Sequence, residues 1–294
     1  MNNKMSVRDG VVGDAMNKTL GGVMNDAKMT EDRVILVDKP AGMSSFGVVA
    51  KVRGMLKAQL GHKIKVGHTG TLDPFATGLL ILLTGKMTKK SSEFLKLDKE
   101  YVATMKLGYT SSTGDPEGEI QLYSTRGASG RPVDWSCRSI DVSKERTSSS
   151  SARLPGSSTT GDQRHSSSCQ VPNPLRLNVI ESTLDSFVGK ITQTPPRYSA
   201  IKVGGERAYK LARKGVEFEI PSREVEIYGI EILRYEWPEL TIRCYVSSGT
   251  YIRTLAEDIG ARLGVGAYLT ALRRTRVGEY DVKDAVSLDE LCAK

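Results

Sequence analysis

A single aspartate in a glycine-rich segment is the residue best suited to carry chemistry. Asp73 lies within Gly67-His-Thr-Gly-Thr-Leu-Asp-Pro-Phe-Ala-Thr-Gly78, where three glycines and Pro74 allow tight turns that hold one side chain in a fixed direction. A carboxylate held in this way can act as a nucleophile. The local alternative is an Asp-Pro turn in which the carboxylate only hydrogen-bonds nearby backbone. The dipeptide alone favours that alternative.

Phosphate-loop and metal chemistry match the sequence poorly. No Gly-Lys-Ser/Thr follows the glycines, and the next segment reads as a strand where a phosphate-binding loop leads into a helix. The cysteines are far apart, without a Cys-x-x-Cys pair or a histidine at ligand spacing, which predicts no metal, no disulfide framework and a reducing cytoplasm. We also expect no cofactor. The chain has three histidines and four cysteines: His62, His68, His165, Cys137, Cys169, Cys244 and Cys292.

The charge balance indicates a polyanionic partner without identifying it. The chain of 294 residues has a formal net charge of +8 and a pI near 9.2, which is a weak indication of nucleic-acid binding. The longest apolar run, Leu79–Leu83, is far shorter than the roughly 18 residues of a membrane helix. The first 30 residues contain no apolar segment, so neither a membrane span nor a secretory signal is expected.

The pattern of apolar residues predicts a mixture of strands and helices without regular alternation. This mixture is typical of an α+β fold with a central mixed or antiparallel sheet. A helix capped by Ser44 or Ser45 is expected to end at Gly61. Further helices are expected at Asn178–Val188, at Tyr209–Lys214 and after a cap at Thr250. The predicted strands are Arg33–Val37, Leu79–Leu83, Tyr101–Leu107, Glu224–Tyr235 and Glu239–Val246.

Composition divides the chain into four parts. Residues 1–30 read as a flexible extension, and 31–123 together with 171–290 read as one folded domain. Residues 124–170 contain 14 serines among 47 residues and too little apolar surface to offset their chain entropy, so a disordered insertion is predicted. A basic RNA-binding arm is the alternative for this tract.

Seven blocks in fixed order, within residues 33 to about 280, repeat the motifs of one family. They are Lys39-Pro-Ala-Gly-Met-Ser-Ser45, Gly67–Leu79, Lys99-Glu-Tyr101, Thr113-Gly-Asp-Pro-Glu-Gly-Glu119, Gln193-Thr-Pro-Pro-Arg-Tyr-Ser-Ala-Ile-Lys202, Ser248-Gly-Thr-Tyr-Ile-Arg-Thr254 and Leu272-Arg-Arg-Thr-Arg-Val-Gly278. The chain resembles the TruB-type pseudouridine synthases. The resemblance implies the pseudouridine synthase fold, with a catalytic RNA-binding cleft, and an isomerase that converts uridine 55 in the tRNA T loop.

The resemblance also assigns catalytic roles. Asp73 matches the catalytic aspartate, and Arg253 matches the arginine that pairs with it; a nearby opposite charge favours the ionised carboxylate. A surface arginine at a helix N-terminus is the alternative for Arg253, although the helix dipole disfavours a cation there. Tyr101 matches the tyrosine that stacks on the uracil and helps remove a proton from carbon. Without the resemblance it would be an ordinary strand aromatic.

Other matched positions are expected to bind the substrate. His68 matches a residue that helps hold the flipped-out nucleotide, and Tyr251 and Leu272 match positions in the uridine pocket. Both of these would otherwise pass as core residues at helical spacing. A basic arm over the RNA is expected from six residues, with a solvated basic face as the alternative: Arg197, Lys202, Arg207, Lys210, Arg213 and Lys214.

The sequence leaves three functions open. The favoured one is a monomeric cytoplasmic enzyme that acts alone on the T stem-loop of tRNA. The second is a guide-RNA-dependent pseudouridine synthase, which usually needs a C-terminal PUA domain. No such domain is expected here, because the last motif of the family lies close to Lys294. The third is a non-catalytic tRNA-folding chaperone, which the intact set Asp73, Tyr101 and Arg253 disfavours.

Overall fold

The computed structural model describes residues 31–124 and 174–293. The extension at residues 1–30 and the Ser-rich tract at 124–170, apart from Ser124, lie outside the described residues. Strands from before and after that tract join one ten-stranded mixed sheet. The first and second parts of the described chain therefore build a common scaffold.

Fourteen strands occur within the described residues. They are β1 Val34–Lys39, β2 Val66–His68, β3 Thr77–Thr84, β4 Lys99–Leu107, β5 Tyr109–Ser111, β6 Ile120–Leu122, β7 Gly189–Gln193, β8 Lys202–Val203, β9 Glu206–Arg207, β10 Arg223–Glu236, β11 Glu239–Val246, β12 Ala267–Val277, β13 Tyr280–Asp281 and β14 Val286–Ser287. The large sheet has the order β14-β1-β3-β12-β4-β11-β10-β7, with β13 on β12 and β2 on β3. Its pairs are antiparallel except for β1 with β14 and β3 with β12.

Six α-helices occur in the same ranges. They are α1 Ser45–Leu60, α2 Ser91–Leu95, α3 Leu177–Asp185, α4 Ala208–Arg213, α5 Ile252–Arg262 and α6 Leu288–Ala293. The predicted caps of α1 are confirmed. Ser44 Oγ accepts a hydrogen bond from Gly47 N at 3.0 Å. Gly61 ends the helix with φ of 75°, a left-handed conformation that glycine adopts without steric cost.

The sheet is covered on both faces around β3. On one face, α1, α3 and α5 pack through residues such as Val52, Ile180 and Leu255 into the main core. On the other face, Leu79, Ile81 and Leu83 pack with Phe94 of α2. Burial on both faces explains the continuous apolar run of this strand. In β4, by contrast, buried and half-buried residues alternate, because only one face enters the core.

The pairing of β3 fixes the position of the glycine-rich segment. Along one edge of β3, Leu82–Thr84 pair with β2, whereas Thr77 and Gly78 pair with β12. Residues 69–76 connect the end of β2 to the start of β3. The loop that carries Asp73 is therefore held at this edge, beside β12.

Some sequence predictions were wrong in detail. Tight turns do not extend over the whole of Gly67–Gly78, because this segment begins in β2 and ends in β3. Helix α3 ends at Asp185, before the predicted Val188, because Phe187 and Val188 already form turn hydrogen bonds that lead into β7. Thr250 does not cap α5: its hydroxyl donates to Ser247 O at 3.0 Å, and the N-cap residue is Tyr251.

Strand β12 was not predicted. Two register shifts, between Leu269 and Ala271 and between Arg274 and Arg276, interrupt its pairing with β4. Each bulge moves the following side chains out of the period-two pattern. The sequence therefore lacks the alternation by which a strand is usually identified.

Candidate active site

The loop around Asp73 is fixed by hydrogen bonds on both sides. Before it, Ser45 Oγ donates to Leu72 O at 2.9 Å and accepts from Leu72 N at 2.8 Å. After it, Gly42 N donates to Pro74 O at 2.8 Å. Asp73 O accepts the turn hydrogen bond from Ala76 N at 3.1 Å. Since the backbone carbonyl accepts the turn bond, the carboxylate is left for another partner.

Lys39 joins the first motif to the same loop. It is buried, and its ammonium group donates to the carbonyls of Pro40, Met43 and Pro74 at 2.8, 2.6 and 3.1 Å. Burial lowers the pKa of Lys39 to about 8, although the charge of Asp73 opposes the shift. Lys39 therefore connects the turn after β1 to the loop that carries Asp73.

Asp73 forms an ion pair with Arg253, which lies 180 residues later. Arg253 Nη2 donates to Oδ1 at 3.2 Å, and Nε lies 3.0 Å from Oδ2 without hydrogen-bond alignment. The Arg253 side chain is 4% exposed and the Asp73 side chain is 31% exposed. The alternative of a surface arginine is therefore wrong. One carboxylate is held in place and stays open to a substrate.

A second carboxylate, which the sequence analysis did not single out, holds Arg253 from the other side. Arg253 Nη1 lies 3.2 Å from Asp115 Oδ2 and donates to Thr113 O at 3.0 Å. Asp115 Oδ1 in turn accepts from Thr113 Oγ1 at 2.5 Å and from Glu117 N at 3.1 Å. The available signal was the motif Thr113–Glu119, in which Asp115 is the first of three acidic residues.

The pKa of the Asp73 carboxyl is set by opposing effects. Burial raises the pKa of the Asp73 carboxyl above its ordinary value, and the neighbouring Asp115 raises it further. Arg253 and, less strongly, Lys39 lower it. The two cations thus counteract the loss of hydration that burial would otherwise impose on the carboxylate.

Tyr101 lies on β4 and faces a second buried arginine. Tyr101 is 8% exposed and pairs in register with Arg274 of β12 on one side and Cys244 of β11 on the other. Burial raises the pKa of the Tyr101 phenol, and Arg274 opposes the shift. Arg274 also escaped the sequence analysis, although it belongs to the block Leu272–Gly278.

His68 is the last residue of β2, directly before the loop of residues 69–76 that carries Asp73. Its Nδ1 accepts from Gly70 N at 3.4 Å, so the neutral ring carries its proton on Nε2. Burial lowers the pKa of His68, with Arg274 and Arg207 adding to the effect. A neutral imidazole with a free N–H donor is suited to contact an acceptor of the substrate.

Tyr251 and Leu272 occupy different elements. Tyr251 exchanges two backbone hydrogen bonds with the side chain of Gln193, at 2.8 and 3.1 Å, and Arg223 Cζ lies 4.9 Å from its ring centroid. Leu272 is buried on β12 within the main core. The alternative interpretation of Leu272 as a core residue at helical spacing was therefore wrong about the type of element, since the residue lies on a strand.

The basic arm, residues 197–214, reaches the site from the second half of the chain. Tyr198 O accepts from Arg253 Nη2 at 2.9 Å, which connects the arm to the Asp73–Arg253 ion pair. Arg207 influences the pKa of His68, and Arg213 that of Glu117. The six predicted residues are divided among the segment before β8, the β8–β9 hairpin, and helix α4 with its C-cap: Arg197, Lys202, Arg207, Lys210, Arg213 and Lys214. The charges of Arg207 and Arg213 therefore act on His68 and on Glu117, respectively.

Neither a membrane-spanning helix nor a metal cluster occurs within the described residues. None of the helices in 31–124 and 174–293 has the length and apolarity to cross a membrane. In the same ranges, no cluster of three or more His, Cys, Asp or Glu residues could hold a metal ion. Cys137, Cys169 and His165 lie outside the described residues.

The fold and the site define a pseudouridine synthase, an RNA-modifying isomerase. A model described as TruB family pseudouridylate synthase (N terminal domain) matches residues 53–134 and 133–252, and a model of the tRNA pseudouridylate synthase B C-terminal domain matches 253–294. The chain belongs to the TruB family of pseudouridylate synthases. These matches contain Asp73, Tyr101 and Arg253.

Curated relatives agree with this membership. A tRNA pseudouridine synthase B from Phocaeicola vulgatus is 40% identical over 88% of this chain and 91% of its own length. A protein of the same name from Flavobacterium johnsoniae is 38% identical over 90% of this chain and 96% of its own length.

Solved structures resemble the chain over a part of their length. The structure titled Crystal Structure of a Cbf5-Nop10-Gar1 Complex has a TM-score of 0.54 and 27% identity. The one titled Structure of H/ACA RNP bound to a substrate RNA containing 2'-deoxyuridine has a TM-score of 0.53 and 26% identity. The chain covers 54% and 53% of the matched chains, which is about half their length.

Proposed function

We propose that this protein isomerises uridine 55 in the T loop of tRNA to pseudouridine, acting alone as a monomer in the cytoplasm. The observation that carries the proposal is the ion pair between Asp73 and Arg253, with a partly exposed carboxylate and a buried guanidinium. The tRNA substrate is inferred from the relatives named tRNA pseudouridine synthase B.

The geometry suits a displacement at the ribose. Isomerisation breaks the bond between ribose C1′ and uracil N1 and forms a bond between C1′ and C5. In the proposed course the Asp73 carboxylate attacks C1′ and displaces uracil at N1. After the base turns, C5 attacks C1′ and releases the carboxylate. The proton on C5 leaves with the help of Tyr101, and N1 gains a proton, so the composition of the nucleotide is unchanged.

Arg253 serves this chemistry by fixing the direction of Asp73. Its guanidinium contacts both carboxylate oxygens, at 3.2 and 3.0 Å, and is itself held by Asp115 and by the carbonyls of Thr113 and Tyr198. A nucleophile in a fixed orientation avoids the entropic cost of finding the reactive geometry.

The target uridine must leave its stack to reach Asp73. Extrusion costs a few kcal/mol, and stacking on an aromatic ring offsets about 1–3 kcal/mol of this per base. We assign the stacking to Tyr101, and lining of the pocket to Tyr251 and Leu272. His68 contacts the flipped nucleotide, while the basic arm contributes charge that attracts the RNA backbone.

Two other functions make different predictions. A guide-dependent enzyme would need additional RNA and proteins, and the similar solved complexes contain Nop10 and Gar1 by title. A folding chaperone would not need the Asp73–Arg253 pair. Pseudouridine mapping with the purified protein alone distinguishes both functions from the proposed one.

The test is pseudouridine mapping on a tRNA transcript with the purified protein alone. Wild type is expected to convert uridine 55, and Asp73→Asn is expected to bind the transcript without converting it. Asp289→Asn removes an exposed carboxylate from a surface ion pair and should behave as wild type. Turnover by Asp73→Asn would refute the mechanism. An inactive wild type that gains activity with guide RNA, or that only refolds tRNA, would support an alternative function.

A further inference from the structure

Arg274 is a buried arginine that the reaction described above does not use. Its residue is 2% exposed. Its Nε donates to Leu79 O at 2.8 Å and its Nη2 donates to Gly70 O at 3.2 Å. A guanidinium has five N–H donors, so these two bonds leave donors for other groups. Burial of a charged group is unfavourable unless partners compensate it, which makes the location of Arg274 informative.

The glycines of the catalytic segment make room for Arg274. A Cβ atom at Gly78 would lie 2.3 Å from Arg274 O, and Gly78 has φ of +100°. A Cβ atom at Gly70 would lie 3.4 Å from Arg274 Nη1. The backbone of Arg274 is thus packed against the end of the loop that carries Asp73, and its side chain contacts the start of that loop at Gly70.

Tyr101 is the other neighbour of this guanidinium. The two residues are register partners on β4 and β12, so their side chains project from the same face at cross-strand distance. The Arg274 guanidinium interacts with the Tyr101 hydroxyl and opposes the rise in the phenol pKa that burial causes. Arg274 therefore hydrogen-bonds to the loop that carries Asp73 and also acts on Tyr101 of the neighbouring strand.

We propose that Arg274 is a positioning residue that holds the Tyr101 oxygen toward the catalytic loop and stabilises its deprotonated form. This inference rests on the proposed function. The Tyr101 oxygen accepts the proton that leaves C5 and later passes it to solvent, while N1 takes a proton from solvent. Arg253 fixes the nucleophile in the same way as Arg274 fixes the proton acceptor, and the two arginines act on different steps.

The test compares Arg274→Met and Arg274→Lys with Arg273→Met. Arg273 is the adjacent residue, and its side chain pairs with Asp38 at 2.7 Å with 41% exposure, so it serves as a control of similar chemistry outside the site. For each protein we would measure the single-turnover rate on a tRNA transcript at saturating enzyme, the affinity for the transcript, and the rate as a function of pH.

We expect Arg274→Met to lower the single-turnover rate about 100-fold, within the range of general acid–base effects, with unchanged transcript affinity. The pH at which the rate reaches half of its alkaline plateau should rise, because the phenolate loses its neighbouring cation. Arg274→Lys should recover part of the rate and part of the pH shift. Arg273→Met should match wild type in all three measurements.

The inference would be overturned by a parallel loss of rate and affinity, or by a lower rate with an unshifted pH profile, because both indicate a purely structural role. Thermal unfolding shows whether Arg274→Met is folded; if it is not, the pH profile of Arg274→Lys decides the question. An inactive wild type would instead refute the proposed function, so the two failures are distinguishable.

Discussion

Arg253 Nη1 lies 3.2 Å from Asp115 Oδ2, and the two side chains are 4% and 5% exposed. Asp73, Arg253 and Asp115 thus form a three-membered arrangement, in which the buried carboxylate of Asp115 holds the arginine and the arginine holds the partly exposed carboxylate of Asp73. The ion pair with Asp115 orients the guanidinium of Arg253, and the guanidinium in turn orients the carboxylate of Asp73, the proposed nucleophile.

Replacement of Arg253 should separate charge from geometry. Arg253→Lys keeps a cation but loses the planar fork, and misplacement of the nucleophile should lower the single-turnover rate about 100-fold. Arg253→Met should also lower the free energy of unfolding by roughly 3–5 kcal/mol, because Asp115 is left buried without its partner. Single-turnover kinetics and urea unfolding measure the two effects.

The control for Arg253 is Arg243→Met. Arg243 pairs with Glu231 at 2.7 Å on the surface, with 44% and 60% exposure, and such pairs contribute about 0–1 kcal/mol. A rate for Arg253→Lys equal to wild type would show that a point charge is sufficient.

Asp115→Asn should change the pH dependence of activity. The reaction needs ionised Asp73, whose pKa is raised by burial and, in part, by the charge of Asp115. Activity of wild type should therefore fall, as pH decreases, at a higher pH than an ordinary aspartate would give. Removal of the Asp115 charge lowers the pKa of Asp73, so the acid limb should move to lower pH. The pH–rate profile tests this, and an acid limb displaced upward would contradict it; Asp289→Asn should leave the limb in place.

Lys39 should make stability depend on pH in the mildly alkaline range. Its pKa is about 8 in the folded protein, below the ordinary lysine value of 10.5 that applies to the unfolded chain. Between these values the unfolded chain binds more protons, so stability rises with pH. Lys39→Met should reduce this rise. Urea unfolding of both proteins from pH 8 upward gives the difference, in which other titrating groups cancel. Equal slopes for the two proteins would exclude the assignment.

Gly78→Ala should destabilise the protein more than Gly61→Ala. Both glycines have positive φ, +100° and +75°, but a Cβ at Gly61 would meet no atom within 4 Å. Left-handed backbone alone costs roughly 1–2 kcal/mol, and overpacking at Gly78 adds about 1–3 kcal/mol. Thermal and urea unfolding of the two variants measure the difference. Equal destabilisation would mean that the contact with Arg274 O relaxes freely.

The basic arm should contribute to RNA affinity rather than to the chemical step. Arg207→Glu and Arg213→Glu should weaken transcript binding. Each should also lower the slope of log affinity against log salt by about one for every phosphate that the arm no longer neutralises. The single-turnover rate at saturating enzyme should be retained. Arg234→Glu, at an exposed position, is the charge-matched control. Affinity and salt slope unchanged in the arm variants would favour a solvated basic face.

Local features of the fold were predictable from short stretches of sequence. The caps of α1 at Ser44 and Gly61 and the buried strand around Leu79–Leu83 follow from interactions among residues a few positions apart. The α+β class and the family likewise follow from patterns and motifs along the chain. The prediction that Thr250 caps α5 was wrong, because its hydroxyl donates to the carbonyl of Ser247 instead of accepting from a backbone N–H at the start of the helix.

The sequence by itself singled out Asp73 as the residue proposed to be the nucleophile, because Asp73 stands in a long and specific motif. Only the tertiary structure decided what surrounds it. Asp115 and Arg253 are separated by 138 residues, and Tyr101 meets Arg274 across strands whose register is shifted by bulges. The burial and charge at these positions arise from chain segments brought together by the sheet, so no local pattern of residues can specify them.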